Sequence, residues 1–173
     1  FRCKHIQENP VARWLNMFEN TCVNPSRENE CLEWYETHIA GVLKTPGYVS
    51  GRLYRMKEFR NGRGQFLTMY EIDTDDIERT MALRLEKRER EKEQASHYGV
   101  HNLMIPVWKD VLWREIAALA SQKVGQKMEK WVNLVEINCA DPLREQEFNE
   151  WYDQMHLPDT LETPGFLAAR RYE

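Results

Sequence analysis

The sequence predicts an α+β fold in which one β-α-β segment occurs twice. Three observations predict it: two stretches of the chain match in order, each alternates strand-like and helix-like patterns, and each ends its helix at a Thr-Pro-Gly. Trp14 corresponds to Trp131, 117 residues later, and the match continues through the Trp-Tyr dipeptide of each copy. The second copy then holds one extra residue, so that His38 corresponds to His156, 118 residues later.

Composition narrows the classes of protein to which this chain can belong. The 173 residues are 42% hydrophobic with a formal net charge of −4, which suits a globular domain with a real core. A basic surface for nucleic acid or anionic lipid is not expected, and no apolar run approaches the roughly 20 residues of a membrane-spanning helix. Four widely spaced cysteines predict free thiols, and with them a cytoplasmic location.

The first copy begins with a strand predicted over Arg13–Cys22, rich in apolar and aromatic residues. Asn24 and Pro25 then predict the capped first turn of a helix, which the Pro46-Gly47 pair ends. A second strand is predicted over Tyr48–Phe59. Each copy should therefore begin as one β-α-β unit.

The first copy continues into a complete module. Residues 61–64 predict a hairpin turn, followed by a strand over Gln65–Ile72 and a long helix from Ile77, capped by residues 74–76. A fourth strand over Asp110–Ile116 completes a ferredoxin-like β-α-β-β-α-β module with an antiparallel sheet, assigned to residues 11–116. Residues 117–129 are expected to form a linker or short helix.

The second copy is predicted as a partial module over residues 130–173. Its first strand is expected at Lys130–Cys139, followed by a helix and a second strand. An isolated β-α-β leaves sheet edges and an apolar face uncovered, so either the natural chain is longer or another subunit covers this face. We therefore expect a homo-oligomer.

The extra residue of the second copy changes which side chains share a helix face. Tyr152 and His156 are four residues apart, with Phe148 one turn earlier, whereas Trp34 and Cys31 are expected under His38. If both histidines face one pocket, the helix of one copy must bulge or be wound differently there.

Four residues are candidates for catalysis. Histidine suits proton transfer near neutral pH, so His156 is read as a general acid/base, against the alternative of a hydrogen-bonded residue at a helix end. His38 has the same assignment, although it lacks the Pro158-Asp159 that follows His156. Asp159 is a candidate orienting group or an ordinary turn residue, and Tyr152 a candidate partner.

A second set of residues is assigned to substrate binding. Asparagine is disfavoured in strands and needs a partner, which is substrate or neighbouring backbone. Arginines matched across the repeat either bind an anionic group or are exposed, and aromatic side chains line a cavity or form core. No phosphate-binding loop, catalytic-serine motif or metal-ligand spacing is present. The assigned residues are Asn16, Asn133, Arg52, Arg170, Trp34, Tyr35, Trp151 and Phe148.

The segment Trp151-Tyr152-x-x-x-His156-x-Pro158, with Pro164-Gly165 after it, resembles the EthD-like family of the dimeric α/β-barrel superfamily. The resemblance implies ferredoxin-like modules whose sheets pack on each other. Related proteins include dehydratases, muconolactone isomerases, polyketide cyclases and monooxygenases without cofactors, as well as haem-using branches. The family histidine corresponds to His156, and to His38 across the one-residue shift.

Together these observations predict an enzyme that needs no metal or organic cofactor. It would perform proton transfer, as an isomerase, dehydratase or cyclase, on a small hydrophobic molecule that is aromatic or lactone-like. The alternatives are a non-catalytic ligand-binding or assembly module, and a haem-binding member of the same superfamily.

Overall fold

The computed structural model describes residues 14–57, 64–95, 104–106, 111–120 and 131–173, with the side chains of 91–95, 104–106 and 111–120 left aside. Contacts divide the chain between Arg114 and Glu115 into two units, which are taken separately below.

The first unit follows the predicted order of strands and helices, with one short strand, Met104–Pro106, that was not predicted. Its elements are β1 (Trp14–Cys22), α1 (Glu28–Val42), β2 (Tyr48–Arg55), β3 (Phe66–Ile72), α2 (Ile77–Ala95), a short β4 (Met104–Pro106) and β5, which begins at Val111 and ends at Ala120 beyond the unit boundary. The strand that the sequence predicted at 110–116 thus runs four residues further. The predicted linker of 117–129 is wrong over its first four residues, and 121–129 lie outside the described part.

Antiparallel pairing orders the strands of this unit as β2-β3-β1-β5. Strand β1 pairs with β3 from Trp14 opposite Ile72 to Asn20 opposite Phe66, and with residues 111–114 of β5 on its other side. Strand β2 pairs with β3, and β4 pairs with the end of β1. The α+β class with an antiparallel sheet is confirmed, and the order is compatible with a ferredoxin-like module. Residues 58–63, which include most of the predicted hairpin turn, lie outside the described ranges.

Helix starts are built alike in the two copies, as the sequence predicted. The side chain of Asn24 accepts a hydrogen bond from the backbone of Ser26, and Asp141 accepts one from Leu143, both at 3.0 Å. A proline opens the short 3₁₀ turn that follows each cap. These caps satisfy amide groups that a helix start otherwise leaves unpaired.

Helix α1 packs its apolar face on the sheet, where two buried clusters form the core. One contains Cys22, Cys31, Tyr35 and Phe66, and the other contains Val42, Tyr48, Tyr70 and Ile72. Gly51 permits close contact, because a Cβ atom there would lie 2.8 Å from Ile39 and 2.9 Å from Tyr70. One covalent bond in this unit was not predicted from the sequence.

That bond is a disulfide between Cys22 and Cys31, whose Cα atoms are 6.6 Å apart. It joins the end of β1 to the first turn of α1. The expectation of free thiols is therefore wrong for these two residues, because the capped turn between them folds the chain back on itself. Cys139 is a free thiol, and Cys3 lies outside the described residues.

The second unit contains the remaining part of β5 and the second copy. Residues 115–120 of β5 pair antiparallel with β6 (Ala168–Tyr172). Between them lie α3 (Glu145–Trp151), a π-helical turn at Tyr152–His156 and α4 (Leu157–Glu162). No helix within the described ranges is long and apolar enough to span a membrane.

The strand predicted at Lys130–Cys139 is wrong. Residues 131–139 form neither helix nor strand, and Trp131 is 71% exposed. The corresponding β1 is held between β3 and β5, whereas no strand among the described residues pairs with 131–139. A strand is stabilised by its neighbours, so the same sequence pattern gives a different structure without them.

Candidate functional site

The candidate site lies where the second copy carries its extra residue. Helix α3 passes into the π-helical turn at Tyr152–His156 and then into α4. A π turn accommodates one more residue than an α-helical turn, and it often occurs at functional sites. The helix of the second copy is thus wound differently near its histidine, as expected if both histidines face one pocket.

The π turn gives both copies the same ring pair despite their different spacing. Trp34 and His38, four residues apart, stack with centroids 4.5 Å apart and planes at 16°. Trp151 and His156, five residues apart, stack at 5.0 Å and 21°. An ordinary α-helix would rotate a residue at the fifth position away from Trp151. The π turn therefore accommodates the inserted residue and preserves the Trp–His pair.

The imidazole of His156 has aromatic rings on two sides. It stacks on Trp151, and the ring of Tyr152 meets it edge-to-face at 4.7 Å. Thr160 donates a hydrogen bond of 2.8 Å to the backbone carbonyl of His156, not to its ring. Within the described residues, no hydrogen bond reaches either ring nitrogen, although the side chain is only half-buried. Among the described residues, the imidazole is therefore held by ring contacts and not by hydrogen bonds.

Tyr152 is buried, and its ring contacts the imidazole of His156. Phe148 packs against Tyr152 edge-to-face at 5.4 Å, and the guanidinium of Arg171 lies over the Tyr152 ring, 4.7 Å from the centroid. Arg171 also donates to Asp153 and to the side-chain oxygen of Asn149, each at 2.5 Å. The aromatic ring, the helix and β6 are thereby held together.

Arg171 was missed by the sequence reasoning, which chose its neighbour Arg170. Arg170 is exposed, whereas Arg171 points to the helix, since successive strand residues face opposite sides. The repeat offered a signal: Arg171 corresponds to Leu53, which packs against the core cluster around Tyr35. A residue at this position should therefore contact the tyrosine of its own copy.

The tyrosine of the first copy has a different environment. Tyr35 is buried, and Asn20 of β1 donates a hydrogen bond of 2.8 Å to its hydroxyl. Burial raises the pKa of the Tyr35 phenol, and hydrogen bonding opposes that rise. Asn20 corresponds to Ile137, whose side chain cannot donate a hydrogen bond to Tyr152. The two copies are thus alike in ring stacking and unlike in polar contacts.

The remaining predicted residues are scattered. Asn16 is buried in β1, while Asn133 is exposed and belongs to no strand, so its predicted strand environment is wrong. Arg52 is half-buried in β2, opposite Met69. Asp159 is exposed, and within the described residues no hydrogen bond joins it to His156. The structure brings together Phe148, Trp151, Tyr152 and His156, and separately Trp34, Tyr35 and His38.

Metal-ligating side chains do not gather in the described part of the chain. No group of three or more histidine, cysteine, aspartate or glutamate residues there has an arrangement that would hold a metal ion.

Comparison with known proteins adds little. No protein-family model matches the sequence, and no curated protein matches it. Among solved structures, one match is described as "a putative monooxygenase from Shewanella loihica PV-4". It is 15% identical, the match covers 62% of this chain and 98% of that one, and the TM-score is 0.37. At that level the similarity carries no argument about activity.

Proposed function

We propose that the second copy forms a small-molecule site in which His156 acts as a general acid/base. The observation that supports this most directly is the imidazole itself: it is stacked on Trp151, and its ring nitrogens have no hydrogen-bond partner among the described residues. A histidine held in place by rings, with nitrogens free to exchange a proton, has the properties that acid/base catalysis requires.

The surroundings of His156 favour an apolar, planar substrate. Trp151 is 45% exposed, so part of its ring surface remains open while another part contacts His156. Aromatic rings pack well in offset or edge-to-face arrangements, which suits an aromatic or lactone-like molecule beside Trp151. Tyr152, fixed by Arg171, would keep the histidine oriented during proton transfer.

The type of reaction follows from the resemblance to the EthD-like family. It implies isomerisation, dehydration or cyclisation without a metal or organic cofactor, and each of these begins with the removal or addition of a proton. In the first copy, His38 would be a second acid/base, and Trp34 is the ring stacked on it. Asp159 would act only as a solvent-side acid or base.

Proton exchange at carbon gives a direct test. The protein is incubated in deuterium oxide with a panel of aromatic ketones and unsaturated lactones, and loss of the signal of the proton next to the carbonyl is followed by NMR. Because His38 is proposed as a second acid/base, the comparison is made in a His38→Gln background. There His156→Gln should slow exchange by about 10²- to 10⁴-fold, the usual range for loss of an acid/base group. His38→Gln is the matched variant in the first copy.

Two results decide between this proposal and its alternatives. Exchange that His156→Gln leaves unchanged removes the catalytic assignment and favours a non-catalytic binding module in which the rings only stabilise the helix. A Soret band in the absorbance spectrum of the purified protein would instead favour the haem-binding alternative.

A further inference from the structure

The second copy presents an apolar segment that pairs with no strand in the part of the chain that the structure describes. Trp131, Val135 and Ile137 are 71, 61 and 56% exposed. Val132 is 39% exposed, whereas Leu15 at the corresponding position of β1 is 3% exposed. A strand-forming sequence with exposed apolar side chains and an unpaired backbone is a site for pairing with another strand.

The register of the first unit shows which kind of strand this segment would accept. There β1 pairs with β3 so that Trp14 lies opposite Ile72, Leu15 opposite Glu71, and Met17 opposite Met69. Strand β3 reads Phe-Leu-Thr-Met-Tyr-Glu-Ile. Because 131–137 corresponds to 14–20 of β1, its best partner is a strand with the β3 pattern.

The segment itself has the β3 pattern. Residues 131–137 read Trp-Val-Asn-Leu-Val-Glu-Ile, which matches β3 in order: an aromatic residue, an aliphatic one, a small polar one, an aliphatic one, an apolar one, then Glu-Ile. One sequence therefore carries the patterns of both partners in the β1–β3 ladder. Two copies of it are complementary to each other.

We propose that residues 131–137 of two copies of this chain pair as an antiparallel ladder, with the two-fold axis at Leu134. This register places Trp131 of one copy opposite Ile137 of the other, and Val132 opposite Glu136, as Trp14 lies opposite Ile72 and Leu15 opposite Glu71 in the first unit. The two-fold axis repeats each of these pairs on the other side of Leu134. Aromatic and β-branched residues directly opposite each other stabilise a ladder. Leu134 then faces itself, as Met17 faces Met69. The inference does not depend on the proposed function.

The residue on the axis gives a sharp test. Leu134→Lys and Leu134→Glu each place two like charges opposite each other, so each variant alone should dimerise at least about tenfold more weakly than the original chain in sedimentation equilibrium. An equimolar mixture of the two variants should form a heterodimer, because Lys then faces Glu. Leu143→Lys is the matched control, since Leu143 is 95% exposed in the same unit and outside the segment.

Several results would overturn the proposal. These are a chain that stays monomeric across the accessible concentration range, a dimer that Leu134→Lys leaves intact, or a mixture of variants that forms no heterodimer. Amide hydrogen exchange of residues 131–137 in the unaltered chain is an independent measurement. It should slow as protein concentration rises, and exchange independent of concentration would contradict the ladder.

Discussion

Replacing Arg171 with leucine should destabilise the second unit while leaving apolar packing on Tyr152. The guanidinium lies over the Tyr152 ring at 4.7 Å and bonds Asp153 and Asn149 at 2.5 Å each. Leucine is the residue at the corresponding position 53, where it packs beside the Tyr35 cluster. Arg171→Leu therefore removes the charge and the hydrogen bonds but keeps an apolar side chain of the kind that the fold already accepts.

The magnitude can be estimated contact by contact. A partly desolvated cation–π contact is worth about 1 kcal/mol. The hydrogen bond to Asn149 adds about 1 kcal/mol, and the ion pair adds less than about 1 kcal/mol, because the Asp153 side chain is 42% exposed and regains water in the variant. The free energy of unfolding should fall by roughly 2–3 kcal/mol, which corresponds to about 5–10 °C in Tm for a chain of this size.

Urea unfolding followed by near-UV circular dichroism measures this loss. Arg171→Lys, which keeps the charge but lacks the planar fork, should recover less than half of it. Adding Asp153→Asn to Arg171→Leu should cost little more, because the two side chains act on each other. A free energy of unfolding for Arg171→Leu within about 0.5 kcal/mol of the original chain, a change typical of neutral surface sites, would refute the reasoning.

Three further perturbations test other features of the fold. Replacing Cys22 and Cys31 with alanine should lower the free energy of unfolding by about 2.7 kcal/mol if loop closure over ten residues accounts for the effect. Dithiothreitol should lower the stability of the unaltered chain by the same amount. Equal stability with and without reductant would contradict the disulfide. Burial raises the pKa of the Tyr35 phenol, so this phenol ionises at a lower pH in the unfolded chain than in the folded one. Its contribution to the free energy of unfolding is therefore present below about pH 10 and lost above it. If the free energy of unfolding falls as steeply with pH in Tyr35→Phe, Tyr35 is not the cause. Deleting Gln154 should convert the π turn to an α-helical turn in which His156 still stacks on Trp151, as His38 stacks on Trp34 in the first copy. Unfolding of the unit would contradict this expectation, as would loss of the ring-current shift of the histidine in NMR spectra.

The repeat made the local structure largely predictable. Caps at Asn24 and Asp141 and the turns at Gly47 and Gly165 that follow the helices depend on nearby residues. Both glycines adopt the positive φ that such turns require. The different winding near His156 was expected on the condition that both histidines face one pocket, since one copy has one more residue before its histidine. Local rules suffice where the interacting groups are a few residues apart.

The contacts of the candidate site were less predictable. That Arg171, and not Arg170, reaches Tyr152 depends on which face of β6 meets the helix, and the sequence alone left this open. Asp159 was chosen for its position after a proline, yet it is exposed. Side-chain contacts between elements depend on how those elements pack, which sequence spacing does not specify.

By itself, the sequence determined the α+β class, the helix caps and the pairing of Trp34 with His38. Only the tertiary structure decided that Trp14–Cys22 is a strand while residues 131–139, with nearly the same pattern, are not. The physical reason is that caps and helical turns are satisfied within a few residues, whereas a strand exists only if distant segments supply its hydrogen bonds and cover its side chains.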